Sequence, residues 1–68
     1  LGFEDKSYLD LFCAVMKLDK KYRVPLLLFY YEGYSTQEIA DLLGLPGKTV
    51  STRLSRAKTK LKAYLKEE

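Results

Sequence analysis

Residues 35–46 carry three helix signals in fixed order, and these constrain the chain more than any other feature. Ser35-Thr36-Gln37-Glu38 is a capping box: Ser35 can accept from the Glu38 amide while the Glu38 carboxylate reaches back to the Ser35 amide. Gly44 then stops the helix by adopting the left-handed region, Leu45 follows, and Pro46 suits the opening of another helix. Between the signals, Ile39, Ala40, Leu42 and Leu43 give the short helix an inner face. Beyond them, Val50, Leu54, Ala57, Leu61 and then Tyr64 or Leu65 form one apolar stripe, which predicts a longer helix over about 46–66. A short capped helix, a glycine turn and a longer single-striped helix make a helix-turn-helix over about 35–66.

The residues before it also read as helix. Asp5 or Ser7 can cap a first helix, and residues 1–4 carry no pattern. Leu9, Phe12, Cys13 and Met16 recur at i, i+3, i+4, i+7; Tyr8, Leu11, Val15 and Leu18 widen that face. The expectation is a first helix buried on more than one side, with Cys13 a small core residue. Asp19 can cap a second helix running through about Glu32. Its middle, residues 26–31, is apolar all round, which predicts a place at the centre of the core. Tyr30, Tyr31 and Tyr34 read as core and its rim. Pro25 either kinks this helix or marks its true start, and Gly33 ends it. The fold expected is all-α: a small four-helix domain containing a helix-turn-helix, with residues 1–68 as a single domain. The chain begins with Leu1 rather than Met, the expected mark of a piece cut from a longer protein.

Composition removes several function classes. At 68 residues one hydrophobic core is barely large enough, and such chains usually lean on a disulfide, a metal, a partner or tight helix packing. One Cys cannot form an internal disulfide, and one Cys without any His cannot assemble the usual zinc sets. Absence of His also removes the commonest general base near neutral pH. Carboxylates such as Glu38 and Asp41 exist, but no nucleophile–base pair or glycine-rich phosphate loop does, so no catalytic residue, metal or cofactor is expected. The longest apolar run, residues 25–31, is far too short to cross a bilayer. Without a signal-peptide pattern, and with a lone thiol suited to a reducing setting, the expected location is cytoplasmic.

Charge is what points to a partner. Residues 1–45 hold five basic and seven acidic side chains; residues 46–68 hold seven basic and two acidic, and those two are Glu67 and Glu68. The second helix of the helix-turn-helix is therefore positive and acid-free from 46 to 66. On a helical wheel Lys48, Thr52, Ser55 and Thr59 lie opposite the apolar stripe, with Thr49, Arg53, Arg56 and Lys60 on one flank and Ser51 and Lys58 on the other. Short Ser and Thr side chains let a helix sit deep in a DNA groove, and Arg and Lys reach phosphates or base edges. Ser35, Thr36 and Gln37, with the open amides of the third helix, can hold phosphates. Two other classes fit parts of the pattern: the helix-turn-helix of another transcription regulator, and a protein-interaction module that docks through Tyr30, Tyr31 and Tyr34 without binding DNA.

Several separate motifs then occur in one order and spacing. They are residues 22–35, Tyr22-Arg23-Val24-Pro25-Leu26-Leu27-Leu28-Phe29-Tyr30-Tyr31-Glu32-Gly33-Tyr34-Ser35, then Glu38-Ile39-Ala40, Gly44-Leu45-Pro46, Thr49-Val50, Arg53-Leu54-Ser55-Arg56-Ala57-Lys58 and Lys60-Leu61. Over about residues 19–66 the chain closely resembles region 4 of bacterial sigma-70-type RNA polymerase sigma factors, most of all the extracytoplasmic-function group. The resemblance implies a four-helix domain that recognises the promoter −35 element and docks on the β-subunit flap of the polymerase core, and that in this family is often masked by an anti-sigma factor. Carried over position by position, it assigns DNA reading to Lys48, Thr49, Ser51, Thr52, Ser55 and Arg56, and phosphate contacts to Ser35, Thr36, Arg53 and Lys60. Lys48 stands where the family usually has Gly, and Ser51 where it usually has a basic residue. Both departures lie on the expected DNA side and bear on which −35 sequence is preferred.

Overall fold

The computed structural model describes residues 6–66. Over this range the chain forms four helices and no strand: α1 (Lys6–Lys17), α2 (Lys20–Tyr30), α3 (Thr36–Leu43) and α4 (Gly47–Lys66). The all-α, four-helix expectation holds. Residues 1–4 and the Asp5 cap lie outside the described residues, and Ser7 falls inside α1 instead of ahead of it.

Local chemistry accounts for the helix ends. At α3 the capping box is complete: the Glu38 amide donates to Ser35 Oγ at 3.1 Å and the Ser35 amide donates to Glu38 Oε1 at 2.8 Å. Gly44 adopts φ 67°, ψ 37°, and the Gly44 and Leu45 amides both donate to the Ala40 carbonyl, closing the helix. The Pro46 carbonyl then accepts from the Thr49 and Val50 amides, so Pro46 caps α4 and Gly47 is its first helical residue. Asp19 sits at the N-cap of α2 without a side-chain bond; its carbonyl accepts from Tyr22 and Arg23 at 2.9 Å. Pro25 lies inside α2 instead of starting it, so the Lys21 carbonyl lacks its helical donor. The Pro25 ring is fully buried, and that apolar burial offsets the missing bond. α2 stops at Tyr30, short of the expected Glu32; Gly33, at φ 80°, follows a turn in which the Tyr34 amide reaches the Leu28 carbonyl.

α4 is the element that packs on all three others. Its stripe of Val50, Leu54 and Ala57 joins Val15 and Leu18 of the first helical hairpin, Leu26 of α2, and Ile39 and Ala40 of α3 in one core. Small Ala40 and fully buried Val50 allow the close approach of α3 to α4. At its far end the stripe continues through Leu61 and Tyr64, while Leu65 is exposed.

Four expectations about burial are corrected. In α1 the residues Leu9, Phe12, Cys13 and Met16 are exposed, Phe12 by 60%, as are Tyr8 and Leu11; the buried side is Ala14, Val15 and Leu18. Leu11, Ala14, Val15 and Leu18 also recur at i, i+3, i+4, i+7, so two stripes fit the helical template. Packing against α4 selects the one with the small Ala14. Cys13 is thus a surface thiol and not a core residue. α2 is not central: only Pro25 and Leu26 are buried, and Tyr30, Tyr31 and Tyr34 are exposed, Tyr31 by 81%. α4 packs on one side of α2 and α3 on part of another, and among the described residues no further element packs closely on the rest of it. In α3, Ile39 and Ala40 face inward, but Leu42 and Leu43 are exposed. Leu42 lies roughly 110° around the helix from the midpoint of that inner pair, and Leu43 ends the helix.

Candidate nucleic-acid interface

The helix-turn-helix consists of α3, the 44–46 turn and α4. Burying Val50, Leu54 and Ala57 fixes the rotation of α4, so the opposite face must point outward. Lys48, Thr52, Ser55 and Thr59 are exposed there, as the wheel predicts, with Ser51 and Arg56 beside them. Thr49 and Arg53 are half-buried on the flank. The Thr59 hydroxyl donates back to the Ser55 carbonyl at 3.2 Å, which commits its proton to the backbone.

Lys48, Thr49, Thr52, Arg53 and Arg56 come together in one groove of about 390 Å³. Ser51 and Ser55 are exposed on the same helix outside the lining of that groove. Ser35 and Thr36 belong to the start of α3, where the Ser35 oxygen accepts from the Glu38 amide and Thr36 is half-buried. Gln37 is exposed, with its side-chain amide donating to Asp41 Oδ1 at 3.3 Å. Lys60 lies next to the groove, its ammonium 5.2 Å from the centroid of the Tyr22 ring.

Two residues of the groove were not anticipated: Lys21 and Tyr22, from the first turn of α2. A local signal for them exists. The first turn of α2 contains no acid and opens Lys20-Lys21, although the positive end of a helix dipole disfavours cations there. The lining holds four cations and no carboxylate, with hydroxyls from Thr49, Thr52 and Tyr22 between them. Such a surface suits a polyanion.

Beside Lys58, the other flank of α4 is apolar. A groove of about 380 Å³ runs along Leu11, Val15, Leu26, Leu27, Tyr30, Tyr31 and Leu61, with Lys58 its one charged residue. The Lys58 ammonium lies 5.6 Å from the Tyr30 ring centroid. Among the described residues no group of three or more His, Cys, Asp or Glu could hold a metal ion, and no helix is long and apolar enough to cross a membrane.

Residues 8–61 match the family model described as sigma-70, region 4. Over 53 residues the chain is 36% identical to the ECF RNA polymerase sigma factor SigW of Bacillus subtilis (strain 168), covering 78% of this chain and 28% of that protein. Over 62 residues it is 39% identical to the probable RNA polymerase sigma factor RfaY of Xanthomonas campestris pv. campestris, covering 91% of this chain and 15% of that protein. The chain thus spans well under a third of the length of either relative. The matched region takes in α2, α3 and most of α1 and α4, the helices that build both grooves: the chain belongs to the sigma-70 region 4 family.

Proposed function

We propose that the chain is a single −35 recognition domain, acting within a sigma factor to direct RNA polymerase to promoters. The observation that carries this is the N-terminal half of α4, whose exposed face is built from Lys, Arg, Ser and Thr without an acid. An α-helix with its side chains is roughly 10–12 Å across and the major groove is about 12 Å wide, so α4 can enter it along that face. In this reading Lys48, Thr49, Ser51, Thr52, Ser55 and Arg56 meet base edges and adjoining phosphates. Ser35, Thr36, Arg53 and Lys60 hold the backbone and set the register. No chemical step is involved: the work is positioning, and the setting is the cytoplasm, where promoter DNA and polymerase meet.

A module this small makes few phosphate contacts. Alone it binds DNA near the non-specific range of roughly 10⁻⁴ to 10⁻⁶ M at physiological salt. Tethering to the polymerase raises its effective concentration at the promoter and turns weak reading into specificity. The exposed apolar groove beside Tyr30 and Tyr31 favours a protein partner as well, which we assign to the β-subunit flap of the polymerase core and, as a competitor, an anti-sigma factor. Both relatives are named RNA polymerase sigma factors, which supports a polymerase partner.

The test is a titration against randomised duplexes with and without polymerase core. Enrichment of one sequence, sharpened by core, is expected; equal affinity for every sequence in both conditions rules the reading out. Sequence-selective binding as a dimer on a palindrome, indifferent to core, would instead identify another kind of regulator. Capture by core without any DNA preference would leave a protein-interaction module.

A further inference from the structure

We infer that the outer face of α1 is a self-association surface, on which a second copy of this chain packs antiparallel. Tyr8, Leu9, Phe12 and Met16 are exposed there by 71%, 64%, 60% and 43%, on the side of α1 turned away from Ala14, Val15 and Leu18. Among the described residues α1 packs closely only on α4, and it does so through that buried side. Single apolar side chains on a surface are ordinary. These are contiguous: Leu9, Phe12, Cys13 and Met16 recur at i, i+3, i+4, i+7 and make one stripe, the kind of patch that marks an interaction site. None of them lines the basic groove or the apolar groove beside Tyr30, so neither groove accounts for the stripe.

Spacing, area and charge all favour a second copy as the occupant. The stripe is a narrow seam, which another helix with the same spacing fills. An open side chain of this size presents on the order of 200 Å², so the four leave roughly 400–500 Å² uncovered and two copies together bury about 1,000 Å², the lower end of specific association. An interface of that size holds a dimer with a Kd on the order of 10⁻⁵ M. Asp10 and Lys17 are seven residues apart and so share one margin of the stripe. Both are exposed, with the Lys17 ammonium 5.3 Å from the Tyr64 ring centroid. A parallel partner sets Asp10 against Asp10 and Lys17 against Lys17. Turned antiparallel about Cys13, the stripe meets its copy with Leu9 beside Met16 and Asp10 beside Lys17, each within about one residue, or roughly 1.5 Å, of level. The twofold axis repeats both pairs. A lipid surface calls instead for cations along the margin, where this one carries an acid with its base.

The experiment is sedimentation velocity on the full chain from about 10⁻⁶ to 10⁻⁴ M, a decade either side of that Kd, with circular dichroism to check the helicity of each variant. The parent should pass from monomer to dimer over this range. Phe12→Gln removes a ring that the monomer leaves open, so it should stay helical and dimerise roughly tenfold more weakly or worse. Asp10→Lys sets like charges against each other and should weaken the dimer about tenfold; adding Lys17→Asp should restore it. Tyr31→Ala, in the apolar groove, should dimerise as the parent does. Cys13 is the one thiol of the chain and is exposed. A bismaleimide should therefore bridge two copies of the parent and fail to bridge Phe12→Gln at the same concentration. If Phe12→Gln loses helicity, the charge exchange decides alone. A parent that stays monomeric throughout overturns the proposal and leaves the stripe to another partner. A dimer that both Phe12→Gln and Asp10→Lys leave intact, or that Tyr31→Ala abolishes, lies on another face and overturns it too. Failure of the double exchange to restore the dimer overturns the antiparallel pairing. The promoter reading stands or falls on DNA binding and is untouched by any of these results.

Discussion

Arg56 is exposed and Arg53, three residues earlier on the same flank, is half-buried. An arginine able to extend can place its fork on guanine O6 and N7, whereas one with its stem partly covered stays beside the backbone. Arg56→Ala should weaken binding to the selected duplex by about 1–3 kcal/mol and relax preference at one position; selection from the randomised pool reads both effects. A shallower salt slope with unchanged preference would reassign Arg56 to phosphate. In the core the contrast is between neighbours on α3. Ile39 is fully buried and Leu42 is 59% exposed. Ile39→Ala should cost about 2–5 kcal/mol, a large share of the roughly 3–10 kcal/mol that a chain this size has. Leu42→Ala should stay within about 0.5 kcal/mol. Urea midpoints at constant slope measure the difference. Both leucine and isoleucine read as inward-facing in the sequence because the pattern weighs hydrophobicity alone; Leu42 lies roughly 110° from the midpoint of Ile39 and Ala40, off the face that packs inward.

Among the elements, α3 and α4 were legible because their boundaries are written in local chemistry: a hydroxyl and a carboxylate three residues apart, a left-handed glycine, a proline. The candidate DNA face was legible for a related reason, since one clear stripe on α4 fixes what lies opposite. α1 was not, because two stripes fit one helix and only its partner chooses between them. α2 was misread as central because an all-apolar run says that a helix can be buried, not that anything remains to bury it. The contribution of Lys21 and Tyr22 was hidden within a stretch whose net charge is slightly acidic. The turn offers a direct test of the local reading. Gly44 has φ 67° and nothing within 4 Å of where a Cβ would lie. Gly44→Ala should therefore cost about 1–2 kcal/mol through backbone conformation alone, and Gly44→Asn less, because Asn tolerates this region. Equal losses for the two variants in thermal or urea unfolding would mean that steric fit, not the left-handed conformation, selects glycine here.

The molecule as a whole is a thin plate, 37 × 25 × 14 Å between its Cα extremes. A plate this thin has little interior: among the described residues nine apolar side chains form the core, three of them alanine. The remaining apolar surface, above all Tyr30, Tyr31 and the outer side of α1, stays in contact with solvent. The apolar groove at Tyr30 and Tyr31 and the basic groove lie on opposite flanks of α4, which carries Arg53 and Arg56 on one side and Lys58 on the other. The two proposed partners, DNA and polymerase, can then be held at once by one helix without competing for it. This arrangement predicts that the two activities separate. Tyr31→Ala removes an 81% exposed ring, so it should leave folding and duplex affinity within about 0.5 kcal/mol of the parent while weakening capture by polymerase core. Arg56→Ala should do the reverse. Because the two sites share no groove residue, the double variant should show the sum of the single effects within about 0.3–0.5 kcal/mol. Duplex titration and a core pull-down on all four proteins make the measurement. A Tyr31→Ala chain that loses duplex affinity as severely as Arg56→Ala would mean that the flanks of α4 act as one surface, and the assignment of separate partners to them would fail.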